Sequence, residues 1–394
     1  MFNLLSPAQQ DPILSLSVAF RADPRDEKMD LGIGVYKDSQ GATPIMQAVK
    51  SAQHILADTQ TTKSYVGLSG SEGFNQAMTD LLLKGTAGYS RSAAVQTPGA
   101  SGALRMLADL MFLAKPITTV WISNPSYVNH KPVMEAAGLT VKFYPYFNSE
   151  TKTVDADAML DALAAAGPDD VVLLHGCCHN PTGADIRQEH WQAVAALAQK
   201  NGFIPFVDIA YQGFGAGLEE DAYGVRLMAD SVEEMLIATS CSKNFGLYRE
   251  RTGAAIVIGK NANEAMNAKG RILQLARSTY TMPPDHGAAI VETILSSEEL
   301  TKEWKAELDV MRNRIITLRS GLTAALATRC GDDRFNFIKQ HQGMFSMLGL
   351  SQEQVARLKD EFAIYAVGDS RINIAGLTES RIDYLADALM AVVK

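Results

Sequence analysis

The stretch Met235-Leu236-Ile237-Ala238-Thr239-Ser240-Cys241-Ser242-Lys243-Asn244-Phe245-Gly246-Leu247-Tyr248-Arg249-Glu250-Arg251, followed after Thr252 by Gly253-Ala254-Ala255-Ile256-Val257-Ile258, decides how this chain folds. Apolar runs without polar alternation suit strands that are covered on both faces. Lys243 then arrives just beyond the C-terminal end of one strand, among small hydroxyl residues, with Arg251 eight positions further on. A lysine amine becomes a nucleophile when desolvation or nearby cations lower its pKa. Serines, a lysine and an arginine together also suit a phosphate dianion. Taken alone, Lys243 reads more simply as a loop lysine beside a surface arginine, so the case rests on the rest of the chain.

Outward from this stretch, further short apolar runs alternate with helical patterns. Strands are expected at Ala93-Thr97, Thr119-Ser123, Thr140-Tyr144, Val171-His175, Ile204-Asp208, Leu236-Ser240 and Ala254-Ile258. Helices are expected at Ser101-Ala114, His130-Ala137, Ala156-Ala165 and Arg187-Lys200. Such alternation predicts an α/β fold with a largely parallel sheet and helices on both faces. From Glu299 to Thr328, Trp304, Leu308, Met311, Ile315, Leu318 and Leu322 form one apolar stripe on a long helix. Beyond it, Phe335-Ile338, Met344-Leu348 and Ile364-Val367 are expected as short strands, closed by a helix near Arg381-Val393. That is a smaller α/β unit, onto which the weakly periodic N-terminal 45 residues could dock, or they could form an arm.

The chain has 394 residues, 47% hydrophobic and 20% charged, enough for roughly two to three domains and an ample core. A formal net charge of −8 argues against non-specific nucleic-acid binding. No run of 18 or more apolar residues predicts a membrane span, and Met1 to Gln10 lack the basic and apolar regions of a signal peptide. Four cysteines make no disulfide framework, so a reduced, cytoplasmic protein is expected. Cys177 and Cys178, flanked by His175 and His179, invite a metal assignment. Adjacent residues of a strand point to opposite faces, and no second cluster completes a tetrahedral set, so buried packing is expected and no metal.

Four segments supply partners for Lys243. Thr97-Pro98-Gly99-Ala100-Ser101-Gly102 follows a strand and opens a helix, where small residues and free N–H groups admit a phosphate; a plain helix cap by Ser101 is the simpler alternative. His179-Asn180-Pro181-Thr182-Gly183 marks a turn, and Asn180 offers an amide at the sheet edge where open α/β sheets bind ligands. Asp208 ends an apolar strand and therefore needs a cationic or protonated partner; Tyr211 follows within reach of the same pocket. In Asp369-Ser370-Arg371-Ile372-Asn373, a guanidinium in apolar surroundings suits bidentate recognition of a carboxylate. A lysine amine, a strand-end carboxylate, a phosphate cradle, a phenol and a carboxylate-binding arginine are what a pyridoxal-phosphate enzyme acting on an amino acid requires.

At this point the chain resembles the class I aminotransferases, in particular the aspartate and aromatic-amino-acid group. The likeness runs from Asp11-Pro12-Ile13-Leu14 through Leu31-Gly32-Ile33-Gly34-Val35-Tyr36, Tyr65-Val66-Gly67, Asn124-Pro125-Ser126 and the segments above to the C-terminus. It implies fold-type I, with a seven-stranded sheet in a large domain near 45–310. The small domain would comprise 11–44 plus 311–394, and an arm residues 1–10. It implies a homodimer with shared active sites and pyridoxal 5′-phosphate as cofactor. Lys243 resembles the Schiff-base lysine that later carries the proton, Asp208 the partner of the pyridine nitrogen, and Tyr211 and Asn180 the groups at the phenolic oxygen. Gly99, Ala100, Ser101, Ser240, Ser242 and Arg251 match the phosphate site, joined by Tyr65 of the neighbouring subunit, and Tyr127 the ring stacked on the cofactor. Gly34, Tyr127, Asn180 and Arg371 are expected at the substrate, Arg371 on its α-carboxylate. Arg277 matches the neighbouring subunit's arginine for a side-chain carboxylate.

Substrate choice divides the signals. The segment Ile209 to Gly217, Glu219 to Tyr223 and Ser101 resemble the aromatic enzymes, whereas Val35, Lys37 and Thr43 look aspartate-like. The chain departs from the group's pattern at Tyr127, usually tryptophan, at Met282, usually asparagine in the aspartate enzymes, and at Ala100, usually glycine. Loss of an amide at 282 should loosen Arg277. Dual specificity for aromatic (Phe, Tyr, Trp) and dicarboxylic (Asp, Glu) amino acids, with 2-oxoglutarate or another 2-oxo acid as acceptor, is expected, with Ile13 and Ile33 forming an apolar wall. An aspartate aminotransferase is the first alternative. A β-lyase or decarboxylase on the same fold, and a ligand-sensing domain, are more distant ones.

Overall fold

The computed structural model describes residues 1–7 and 12–393. Asp11 and residues 8–10 of the expected arm lie outside the described residues. At the centre are seven strands: β1 (Ser92–Pro98), β2 (Thr119–Asn124), β3 (Thr140–Pro145), β4 (Asp170–His175), β5 (Ile204–Ile209), β6 (Met235–Ser240) and β7 (Thr252–Ile258). They lie in the order β1-β7-β6-β5-β4-β2-β3. β7 runs antiparallel to both neighbours, and every other pair is parallel. All seven runs anticipated as strands are strands; six are largely buried, whereas β3, at the edge of the sheet, is mostly exposed and is held by its parallel pairing with β2.

Period-2 alternation sends successive side chains to different helical layers. Leu236 and Ala238 of β6 join a core with Leu104, Leu107 and Met111 of α1 (Gly99–Ala114). Met235 and Ile237 face the other way, into the larger core. The remaining helices that shape the site are α2 (His130–Ala136), α3 (Ala262–Thr279) and α4 (Glu298–Cys330). On α4 the expected stripe from Trp304 to Leu322 is buried. Ser297 caps its start by accepting the Leu300 N–H, and Gly331, at φ 73°, ends it. Trp304 stacks on Phe245 at 4.4 Å and donates its indole N–H to the Asn244 carbonyl at 2.7 Å. The long helix thereby grips the backbone next to Lys243.

The C-terminal region holds a small antiparallel pair, Phe345–Met347 with Arg371–Asn373. The N-terminal region reaches it: Met29–Asp30 pairs in parallel with Ile364–Tyr365. One expected strand is corrected. Phe335-Ile338 leads instead into a short helix, Phe337–Gln340, with Asn336 N–H bonded to Asp333 and Ile338 N–H to Phe335. Phe335, Phe337 and Ile338 are all buried, and a short apolar run cannot by itself distinguish helix from strand.

Register aligns the strand ends. His175 of β4 pairs with Asp208 of β5, which pairs with Ala238 of β6. Ser240 pairs with Gly253 of β7, which pairs with Thr97 of β1. The chemical side chains of the sequence therefore meet along one edge, outside the carboxyl ends of the parallel strands.

Candidate active site

A cavity of about 310 Å³ opens at that edge, and Lys243, Asp208, Tyr211, Asn180, Ser101, Tyr127, Ser240, Ser242, Arg251, Gly34 and Arg371 all line it. A larger cavity of about 830 Å³ lies toward the opposite edge, where Lys115 and Asp169 pair with each other. The smaller cavity is the one on which the chemically reactive side chains converge.

Lys243 donates from Nζ to the Gly34 carbonyl at 2.8 Å, with Nζ 5.6 Å from the Tyr211 ring centre and 4.8 Å from that of Tyr248. Burial, reinforced by the charges of Arg251 and Arg371, pulls its pKa down to about 8. The residue is only half-buried by surface because the amine faces the cavity. Near it the backbone of Arg251 is left-handed, φ 53°, and Arg251 Nη1 donates to the Tyr248 carbonyl at 3.0 Å and to Ser242 Oγ at 3.4 Å. Ser240 Oγ accepts the Ser242 N–H at 3.1 Å.

Arg251 closes on the start of α1. Gly99 has φ 69°, and a Cβ there would lie 2.5 Å from Arg251 Nη2; a Cβ on Gly253 would lie 2.6 Å from the Gly99 carbonyl carbon. Only glycine lets the guanidinium approach the first N–H groups of the helix, at Gly99, Ala100 and Ser101. Guanidinium, hydroxyls and helix N-terminus together form a phosphate-sized anion cradle.

Asp208 finds its partner in a residue that sequence reasoning missed. His130 at the start of α2 donates from Nε2 to Asp208 Oδ2 at 2.9 Å. The Ser126 hydroxyl lies 2.9 Å from His130 Nδ1 and 3.3 Å from His175 Nε2. The pair is 78 residues apart, so no local signal could have found it. Burial holds His175 well below its ordinary pKa, as a neutral imidazole. Asp208 Oδ1 is buried with no protein partner, and it borders the cavity. A carboxylate oxygen so placed fits a proton-bearing ring nitrogen. The donor set therefore suits a ligand with an anionic group at one end and a basic heteroatom at the other.

Tyr127 stands edge-on to His130, with ring centres 5.3 Å apart. Burial, with the Asp208 charge adding, raises its phenol pKa; burial likewise raises that of Tyr211. Arg371 donates from Nη1 to Asn180 Oδ1 at 3.0 Å and from Nη2 to the Gly32 carbonyl at 2.7 Å. With its oxygen committed, Asn180 is left with its NH₂ to donate. The Arg371 guanidinium lies 4.4 Å from the Phe345 ring centre, another group the sequence did not single out. Ile13, Ile33 and Val35 complete an apolar wall.

Tyr65 and Arg277 are not brought to this cavity. Tyr65 is 92% exposed, and Arg277 is exposed in the last turn of α3. Met282, just past α3, is half-buried and away from the cavity. The vicinal cysteines also depart from the strand geometry expected of them. They lie beyond the end of β4, where Cys178 has φ 52°, so they do not point to opposite faces. Both thiols and the Asp221 carboxylate come within 4.8 Å of one another. Asp221 accepts the N–H groups of Gly213, Gly215 and Ala216, and burial raises the Cys178 thiol to about 12.

Sequence and structural relatives agree with this geometry. The sequence profile of the family "Aminotransferase class I and II" matches residues 26–389. The aromatic-amino-acid aminotransferase of Paracoccus denitrificans is 49% identical over 392 residues, covering 100% of both chains. The aspartate aminotransferase of Escherichia coli K12 is 44% identical over 396 residues, again covering 100% of both. A solved aromatic-amino-acid aminotransferase from Burkholderia pseudomallei, described as covalently bound to pyridoxal phosphate, superposes with a TM-score of 0.97 at 39% identity over 100% of each chain. By its sequence, its seven-stranded sheet and the groups gathered at that sheet's edge, this chain belongs to the class I and II aminotransferases, transferases that exchange an amino group between amino acids and 2-oxo acids.

Proposed function

We propose that the chain is a pyridoxal 5′-phosphate-dependent aminotransferase of aromatic amino acids that also accepts the dicarboxylic pair. The observation that carries this reading is one cavity holding the Lys243 amine, the unpartnered Asp208 oxygen, the Arg251 cradle and Arg371. Gly99, Ala100, Ser101, Ser240, Ser242 and Arg251 would hold the phosphate, Asp208 the ring nitrogen, and Asn180 with Tyr211 the phenolic oxygen. When bound, the cofactor supplies the electron sink that makes loss of an amino acid's α-proton feasible. Arg371 binds the substrate α-carboxylate and Tyr127 packs beside the reacting centre. Lys243 Nζ takes the proton from the substrate Cα, for which its lowered pKa suits it. The Asp208 carboxylate stabilises positive charge opposite it, with His130 fixing its orientation.

The exposure of Tyr65 and Arg277 on the single chain supports a homodimer in which each reaches the partner's cavity. We propose the same division into a large domain near 45–310 and a small one from 11–44 with 311–394, with 1–10 as an arm. The apolar wall of Ile13, Ile33 and Val35, and the relative of aromatic specificity at 49% identity, support aromatic substrates. The aspartate reading keeps support from Arg277 and the relative at 44%. Paired kinetics decide between them: kcat/KM for phenylalanine and tyrosine is expected to equal or exceed that for aspartate. A ratio far below one returns the protein to the aspartate class.

The Lys243 pKa also predicts a pH effect in the cofactor-free chain. Its folded value of about 8 lies below the unfolded value near 10.5, so burying the ammonium costs stability in full below pH 8. The cost disappears as pH rises from 8 through 10.5, where the unfolded chain binds the extra proton. Discounted for water in the cavity, it amounts to about 2 kcal/mol. Urea unfolding of wild type and Lys243→Met is expected to converge by about that amount between about pH 8 and 10.5. Parallel curves across the window contradict a desolvated lysine.

A further inference from the structure

Arg319, on α4, is 2% exposed and belongs to no part of the reaction described so far. Its five partners are all uncharged oxygens. Nη1 donates to the Ile338 carbonyl at 2.9 Å and to Ser346 Oγ at 2.7 Å. Nη2 donates to the carbonyls of Gln342 at 3.2 Å, Gly343 at 2.7 Å and Phe345 at 2.6 Å. A buried guanidinium without a carboxylate in contact is costly, and an apolar side chain would serve stability at least as well. What this arrangement secures is the path of one segment, residues 338–346, wrapped around a rigid planar fork.

That segment is wedged against the Asn180 loop. The Gln342 N–H donates to the Gly183 carbonyl at 2.7 Å. Gly183, at φ 75°, lies so close that a Cβ on it would meet the Phe345 carbonyl oxygen at 2.1 Å, the same oxygen that Arg319 holds. From this pinned backbone the Phe345 side chain enters the cavity, under the Arg371 guanidinium at 4.4 Å and against the edge of Tyr211 at 5.9 Å. Arg371 in turn donates to Asn180. Packed interiors transmit small backbone shifts, and misplacing a binding group by an ångström is expensive.

We propose that Arg319 is a positioning residue for carboxylate recognition: by pinning residues 338–346 it sets the Phe345 ring, and through it Arg371 and Asn180, in register for the substrate α-carboxylate. This rests on the reading of Arg371 as the carboxylate clamp. The test uses the cofactor-loaded enzyme and 3-phenylpropionate, a carboxylate without a reacting amine, as competitive inhibitor. For Arg319→Met its affinity is expected to fall about tenfold, with a matching rise in amino-acid KM, kcat within about threefold, and unchanged cofactor content. Arg319→Lys, which keeps the charge and part of the donor set, recovers part of the loss. Unchanged affinity in folded Arg319→Met, or a fall in kcat alone, overturns the proposal. Should Arg319→Met not fold, Phe345→Leu reports the same link with the buried charge intact, and unchanged affinity there overturns it equally. Arg371→Met, run in parallel, separates the two readings. If it keeps its affinity for 3-phenylpropionate, the clamp itself is wrong and the proposal falls with it. If it loses affinity while Arg319→Met and Phe345→Leu keep theirs, only the positioning role is wrong.

Discussion

Lys243→Ala is expected to lower kcat by at least about 10⁴-fold, the upper range for one general base, because on the proposed reading the same amine also anchors the cofactor. No neighbour can replace it. The Tyr211 and Tyr248 phenols, whose rings flank Nζ, have pKa values raised by burial, and the guanidinium groups of Arg251 and Arg371 offer no acceptor for a proton. Truncation should leave the fold intact. It removes one cation from a site already holding two guanidinium groups, so the thermal midpoint of the variant is expected to equal or exceed that of wild type. Arg371 is untouched, so 3-phenylpropionate should still bind. Single-turnover kinetics with phenylalanine, read beside the thermal scan, check both halves. A variant that turns over within tenfold of wild type would falsify the assignment.

Asp208→Asn is expected to reduce kcat by about 10²–10³-fold or more, the scale seen when one preorganised electrostatic group is lost. The amide keeps the shape of the side chain and one hydrogen bond to His130 but carries no charge. It therefore cannot favour a protonated ring nitrogen at the position now faced by Oδ1. Asp208→Ala should go further. It strands His130 Nε2, a buried donor 0% exposed, at a cost of about 1–3 kcal/mol in folding stability that the asparagine avoids. Comparing the two by kcat and by urea unfolding separates charge from structure. Equal stability of both variants, or an asparagine enzyme with near-normal kcat, sinks the argument.

Much of the fold was legible because its signals are local. The seven apolar runs became the seven strands, and the Trp304 to Leu322 stripe became the buried face of α4. The failure at Phe335-Ile338 has the same root. Four residues are too few for a period to declare itself, and no adjacent strand was available to pair with them. The Cys177-Cys178 argument failed because it assumed strand geometry past the point where β4 ends.

The site divides in the same way. Lys243, Asp208, Asn180, Arg251 and Arg371 could be named from the sequence because each sits beside a strand end or a turn whose chemistry is written in neighbouring residues. His130, Phe345 and Arg319 could not. His130 lies 78 residues from Asp208 and Arg319 26 residues from Phe345, and only packing brings each pair together. Tyr65 and Arg277 stand exposed at the surface of one chain, where the resemblance expects them to serve a neighbouring subunit. Sequence alone determined the class of the sheet, the family and most of the polar groups that line the cavity, since periodicity and strand-end motifs are properties of neighbours. Tertiary structure decided which acid pairs with which imidazole, how far the Lys243 pKa falls, and what holds Arg371 in place. Those depend on burial and on distances between residues that only the folded chain brings into contact.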